Sequence, residues 1–126
     1  MNIEQIEKFY IPVAKPLSMS MERQKKHTSI IVYKKEIIAI GQNEYKTHPQ
    51  SVKLGYKYPE MHSELDAFRK VPRSLRDKKL ILLNFRFNRF GNCRNAKPCP
   101  VCHRWCKDIF HDIFYTTDDG IIRMDD

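Results

Sequence analysis

Apolar positions 3, 6, 9 and 10 in IEQIEKFY recur at helical spacing, so the chain opens with a helix over residues 3–10. Pro12 and Pro16 follow and remove two backbone donors, which predicts a broken or kinked helix that resumes over 17–26. The period then changes. In HTSIIVYKKEIIAIGQN, residues 28–33 and 37–40 are β-branched and apolar and are joined at Lys34-Lys35-Glu36, a hairpin pattern. Residues 43–60 hold Asn, Thr, two Pro and Gly55 with little periodicity, and read as a long loop of the kind that often carries function. MHSELDAFRK puts Met61, Leu65 and Phe68 on the apolar side of a helix from about 62 to 70 that stops near Pro72. KKLILLNFRF, 78–87, is the strongest strand pattern, and its continuous apolar start predicts a central strand covered on both faces. Residues 88–98 form a Gly/Asn-rich loop. CPVCHRWCKDIFHD is helical from 99 to about 111, IFYTT is a short strand, and Asp118-Asp119-Gly120 is a turn. The order α-β-β-α-β-α-β contains no internal repeat and predicts a sheet sandwiched by helices, with at least one right-handed crossover.

Size and composition agree with one domain over 1–126: 41% of residues are apolar and 30% charged. No apolar run approaches the roughly 18 residues that span a bilayer, so no membrane partner is expected. MNIEQIEKFY carries acids where a secretory signal carries bases, which makes the cytoplasm the expected location. The formal charge is +8 and unevenly spread. From Arg69 to Lys107 there are twelve Lys or Arg and one acid, Asp77, whereas after Lys107 six Asp face Arg123 alone. Such a surplus is either a solvated surface or a basic face for a phosphate-bearing partner.

Cys93, Cys99, Cys102 and Cys106 lie within fourteen residues, a clustering that favours metal or thiol chemistry over a secreted disulfide scaffold. Cys99 and Cys102 are three apart, so at a helix start both sulfurs face one way, and Pro98 suits the beginning of a helix. A helix N-terminus favours the thiolate form that metals require. Taken alone, one C-x-x-C is compatible with half a structural zinc site, a redox dithiol or chance. A four-thiolate site is opposed by geometry, because one helix rarely wraps a tetrahedral metal with three same-face ligands. Cys106, on the inner side with Ile109, reads as core, and Cys93 as an unligated loop thiol.

A catalytic zinc needs three protein ligands and one open position, and His62 at the start of the other well-defined helix is the natural third. His62 and Glu64 are two apart, which is not one helical face. Side chains tilt toward the helix N-terminus, however, so both can converge on a point just beyond it. With a neutral His and two thiolates the site is close to neutral, bound water ionises more easily, and Glu64 is placed to carry the proton.

His62-Ser63-Glu64 followed by Pro98-Cys99-Pro100-Val101-Cys102, separated by one strand and a loop, resembles the H-x-E … P-C-x-x-C signature of the zinc-dependent nucleobase deaminases. The resemblance, to the cytidine and deoxycytidylate deaminase superfamily, runs from about Thr28 to Gly120. It implies an α/β, three-layer α-β-α cytidine deaminase-like fold with a single mixed sheet of four to five strands flanked by helices. It implies His62, Cys99 and Cys102 as ligands of Zn2+, and Glu64 as the catalytic proton shuttle. It implies Asn43, in GQN after the second strand, as a contact to the substrate's sugar, and the backbone amide of Ser63 as a contact to the base carbonyl. Without the resemblance, Asn43 reads as a turn residue after Gly41. Ser63 departs from the usual Ala, so a hydroxyl beside the zinc either alters the pocket or hydrogen-bonds nearby. The implied activity is hydrolysis of a C–N bond: water replaces the amino group at C4 of cytosine, and ammonia leaves.

Substrate class rests on weaker signals. NFRFNRFGNCRNAKP interleaves Phe85, Phe87 and Phe90 with Arg86, Arg89 and Arg94 just before the zinc cysteines, an arrangement suited to stacking and phosphate contact. Phe85 and Phe87 alternate as strand residues and fit the core equally well, so Phe90, Arg89 and Arg94 are the better candidates for substrate binding. Lys46, His48 and Lys53 give a fainter signal at the same mouth. The charge surplus leans toward single-stranded DNA or RNA as partner, with a free cytosine nucleotide such as dCMP, or cytidine, as the alternative. Adenine as the target base stays open. A third class is a noncatalytic, zinc-stabilised nucleic-acid-binding module, closed by a fourth ligand such as Cys106 or His103.

Overall fold

The computed structural model describes residues 1–19, 27–47, 53–54 and 60–125. The chain begins with α1 (Ile3–Gln5), passes through a π-helical turn (Ile6–Tyr10) and continues as α2 (Ile11–Met19). The start is a capping box: Asn2 Oδ1 accepts from the Gln5 amide at 2.8 Å and Gln5 Oε1 from the Asn2 amide at 3.0 Å. The predicted break at Pro12 does not occur. A wide turn ahead of the proline absorbs the missing donor, with Ile11 N–H returning to the Ile6 carbonyl, and Pro16 sits inside the next segment. The predicted resumption beyond Met19 lies outside the described residues.

Five strands form one mixed sheet: β1 (His27–Tyr33), β2 (Glu36–Gln42), β5 (Ile81–Arg86), β6 (Asp112–Thr117) and β7 (Gly120–Arg123), in the order β2-β1-β5-β6-β7. β1 is antiparallel to β2 and to β5, β6 runs parallel to β5, and β7 folds back antiparallel on β6. β1 and β2 are joined by a two-residue turn, Lys34-Lys35, with both residues left-handed (φ 50° and 69°), and the Tyr10 hydroxyl donates to the Lys35 carbonyl at 2.8 Å. A short second sheet pairs β3 (Glu44–Thr47) with β4 (Glu60–Met61), so the predicted loop 43–60 is closed at its base by strand pairing. α3 (Ser63–Arg69) and α4 (Pro100–Ile109) match the two predicted motif helices, and α4 makes the crossover between the parallel strands. Pro100 rather than Pro98 occupies the first turn of α4.

The sheet divides two cores. One face packs Ile31, Leu65, Ala67, Leu82, Cys102, Cys106 and Ile113 under α3 and α4. The other packs Ile6, Tyr10, Ala14, Ile30, Leu83, Phe85 and Phe114 under the N-terminal helices. β5 is therefore central and buried on both faces, as its apolar run predicts. The three-layer α/β arrangement places the first turns of α3 and α4 at the end of the sheet where β5 finishes. Ser18 and Thr28 hydroxyls lie 2.6 Å apart, and Gln42 Nε2 donates to the Leu17 carbonyl at 2.9 Å, so the end of α2 is fastened to that same end.

Candidate functional site

His62 and Cys99 are the N-caps of α3 and α4, both in extended backbone (φ −77°, ψ 150° and φ −64°, ψ 166°), which aims their side chains ahead of the helix starts. Cys102 lies one turn into α4, above Cys99. His62 Nδ1 is 3.7 Å from Cys99 Sγ and 3.6 Å from Cys102 Sγ. All three ligand atoms lie within 4.8 Å of one another. A tetrahedral zinc with bonds of about 2.0 Å to nitrogen and about 2.3 Å to sulfur sets nitrogen and sulfur about 3.5 Å apart. The donor set and its spacing therefore fit zinc. Hydrogen bonding from the Cys102 thiol holds the Cys99 thiol down at about 4 despite its burial, with the His62 ring and the Cys102 amide adding to the effect. That is a thiolate ready for metal.

Among the described residues the cluster stops at those three. Cys106 is fully buried; burial, then the charges of Glu64 and Cys99, push its thiol strongly up, so it stays a protonated core side chain. Cys93 is half-buried, and burial raises its thiol too.

Glu64, two residues after His62, is 4% exposed. Ser63, 2% exposed, turns its hydroxyl inward and donates to Glu64 Oε1 at 2.8 Å. Of the two outcomes for the unusual hydroxyl, the structure shows the local hydrogen bond. Ser29 Oγ lies 2.8 Å from Ser63 Oγ and 2.6 Å from Asn84 Oδ1, while Asn84 Nδ2 reaches the Ala96 carbonyl at 3.4 Å. A hydroxyl has one proton to give. Ser63 gives its proton to Glu64 Oε1, and the single Ser29 proton lies between Ser63 Oγ and Asn84 Oδ1.

α3 itself is held down by Asp66, which receives the Gln42 amide (3.0 Å), Lys70 Nζ (2.9 Å) and Arg69 (3.0 Å). Burial pushes the Asp66 carboxyl up, but the hydrogen bonds from Lys70, Gln42 and Arg69 outweigh it and keep it below the ordinary carboxylate range. Gly41 lies directly under the same helix.

Asn43 is half-buried and its Oδ1 accepts from the His27 amide at 3.1 Å, tying together the ends of β1 and β2. Phe90 is 72% exposed with the Arg89 guanidinium 4.8 Å from its ring. Their turn folds toward the end of α2, where a Cβ on Gly91 would meet Lys15 Cε at 2.7 Å. Arg94 donates to the Cys93 carbonyl at 3.0 Å, and its own carbonyl accepts from Thr116 Oγ1 at 2.8 Å. Phe85 and Phe87 are core. Lys53 borders a hollow with Leu65 and Phe68 of α3 and Trp105 and Ile109 of α4. His48 lies outside the described residues. Sequence reasoning missed Ser29 and Asn84, whose signal is a polar residue inside an otherwise apolar strand run.

No known protein-family profile matches the chain, and no curated protein matches its sequence. In three dimensions its mixed five-stranded α/β architecture is that of a deaminase fold. The crystal structure of dCMP deaminase from the cyanophage S-TIM5, in apo form, superposes with a TM-score of 0.56 over 91% of this chain and 84% of the other, at 19% identity. A likeness at that identity establishes the fold.

Proposed function

We propose that the protein is a zinc-dependent hydrolytic deaminase that converts a cytosine-type base to uracil. The observation that carries this reading is the His62–Cys99–Cys102 group at zinc spacing, with no fourth protein donor in it among the described residues, and with Glu64 buried two residues after His62. Zinc held there supplies activation of water near neutral pH. Glu64 would carry one proton of the attacking water to N3 of the base and the second, from the hydroxyl then on C4, to the departing amine, a general acid/base role worth about 10²–10⁴ in rate. The Ser63 amide, at the first turn of α3, is the group we assign to the base carbonyl, and Asn43 the group for the sugar. Arg89, Phe90 and Arg94 are assigned to outer parts of the substrate.

A free cytosine nucleotide is the substrate class favoured by the fold neighbour, which acts on dCMP. Single-stranded DNA or RNA is the second reading, supported by exposed Phe90 with Arg89 against its ring, although burial of Phe85 and Phe87 removes two of the aromatics that argued for it. The test offers dCMP, cytidine, single-stranded DNA and RNA in parallel to zinc-loaded protein and to its Glu64→Ala variant, measuring uracil formation. Conversion of at least one substrate by the wild type and loss in Glu64→Ala supports the proposal. Zinc bound with none converted supports the noncatalytic binding module instead.

A further inference from the structure

The two motifs reach the site from separate parts of the chain, and a buried polar row connects them. It runs from Glu64 through Ser63 and Ser29 to Asn84, and from Asn84 to the Ala96 carbonyl just ahead of the zinc cysteines. Ser29 and Asn84 face each other across β1 and β5, in register, between Ile30–Leu83 and Thr28–Phe85. Ser29 is 0% and Asn84 2% exposed. A polar pair in the middle of a core sheet costs stability relative to apolar side chains of similar shape. Such a pair is therefore informative: Ser29 reaches Ser63 and Asn84, and Asn84 reaches the Ala96 carbonyl. Thr116 on β6 fastens the same loop, accepting from the Arg86 amide at 3.0 Å and donating to the Arg94 carbonyl at 2.8 Å. Ser63 occupies one carboxylate oxygen of Glu64, Oε1.

We infer that Ser63, Ser29 and Asn84 are positioning residues that hold the Glu64 carboxylate from behind and lock it to the segment preceding Cys99. The inference rests on the deaminase reading. It assigns the serine at position 63 a purpose: its hydroxyl fixes Glu64, and Ser29, seated between Ser63 Oγ and Asn84 Oδ1, keeps that hydroxyl in place.

The test compares Ser63→Ala, Ser29→Ala and the double variant, each with its zinc content and Tm measured. Expected are one zinc per chain throughout, KM unchanged, and kcat lowered about tenfold by Ser63→Ala and about threefold by Ser29→Ala. The double variant should be no slower than Ser63→Ala, because Ser29 acts only through Ser63. Unchanged kcat, a loss that merely tracks lost zinc, or multiplicative effects in the double variant would overturn the inference. If the wild type deaminates nothing, the deaminase reading has failed separately, and crystal structures of the zinc-loaded proteins decide the positioning claim. A Glu64 carboxylate that is single in the wild type and swings in Ser63→Ala supports it; the same placement in both refutes it.

Discussion

Replacing Gly41 by Ala should loosen the proposed metal site without touching His62, Cys99 or Cys102. Gly41 lies on β2 directly beneath α3, where an added Cβ would stand 2.2 Å from Ala67 N, 2.4 Å from the Ser63 carbonyl oxygen and 2.7 Å from Ala67 Cα. All three are backbone atoms, so no side chain can swing aside. Ordinary contact begins near 3.4 Å. Opening the 2.2 Å contact to that distance moves the helix by about 1.2 Å, and overpacking of this kind costs about 3 kcal/mol. In a domain of this length that lowers Tm by roughly 10 °C. His62 caps the displaced helix, so its Nδ1 is carried off the 3.6–3.7 Å spacing to the two sulfurs. Zinc affinity should fall by about 10–100-fold, the range seen when the supports of metal ligands are removed. Gly120→Ala is the control: its φ of +126° makes Ala strained, but nothing lies within 4 Å and the site is not involved. Competition against a chelating dye, with thermal unfolding in parallel, reads both quantities. A Gly41→Ala protein with zinc affinity within about twofold of wild type would refute the close-approach reasoning.

Other consequences follow from particular residues. Lys34 and Lys35 both hold left-handed backbone in a two-residue turn, so Lys34→Asn with Lys35→Gly should stabilise the fold by about 1 kcal/mol, measured by urea unfolding. Asp66→Asn should destabilise by about 2 kcal/mol at neutral pH. Because the folded carboxyl titrates lower than the unfolded one, its stabilisation is present above about pH 4 and is lost as pH falls through the folded value; the gap between variant and wild type should therefore close in acid. Cys106→Ala should cost about 1–2 kcal/mol as a core truncation and leave zinc stoichiometry unchanged; loss of the metal would instead identify a thiolate ligand.

The layers of the fold were legible wherever hydrophobic period was strong. The central position of β5 follows from ILLNF, and the metal group follows from two short motifs whose residue types bind zinc. Pro12 misled because a π-helical turn absorbs a missing donor at a cost that local propensity does not register. β7 went unread because a four-residue strand, GIIR, has too few positions to show alternation, although Asp-Asp-Gly before it is a hairpin signal. The candidates for outer substrate contact were least legible, since Phe and Arg alternate in the same way whether a strand packs a core or presents a surface. Phe85 took the first course and Phe90 the second. Ser29 and Asn84 became meaningful only when register put them opposite each other, information that no single segment contains.

The most direct measurement is of the oxygen that enters the base. Zinc-loaded protein and its Glu64→Ala variant are incubated with dCMP and with cytosine-bearing single-stranded DNA in heavy-oxygen water, and the products are read by mass spectrometry. The account predicts a uracil product from at least one substrate with the heavy oxygen at C4, ammonia released in equal amount, and the product nearly abolished in Glu64→Ala. Absence of any uracil product from fully zinc-loaded wild type, or equal product from the variant, would contradict it.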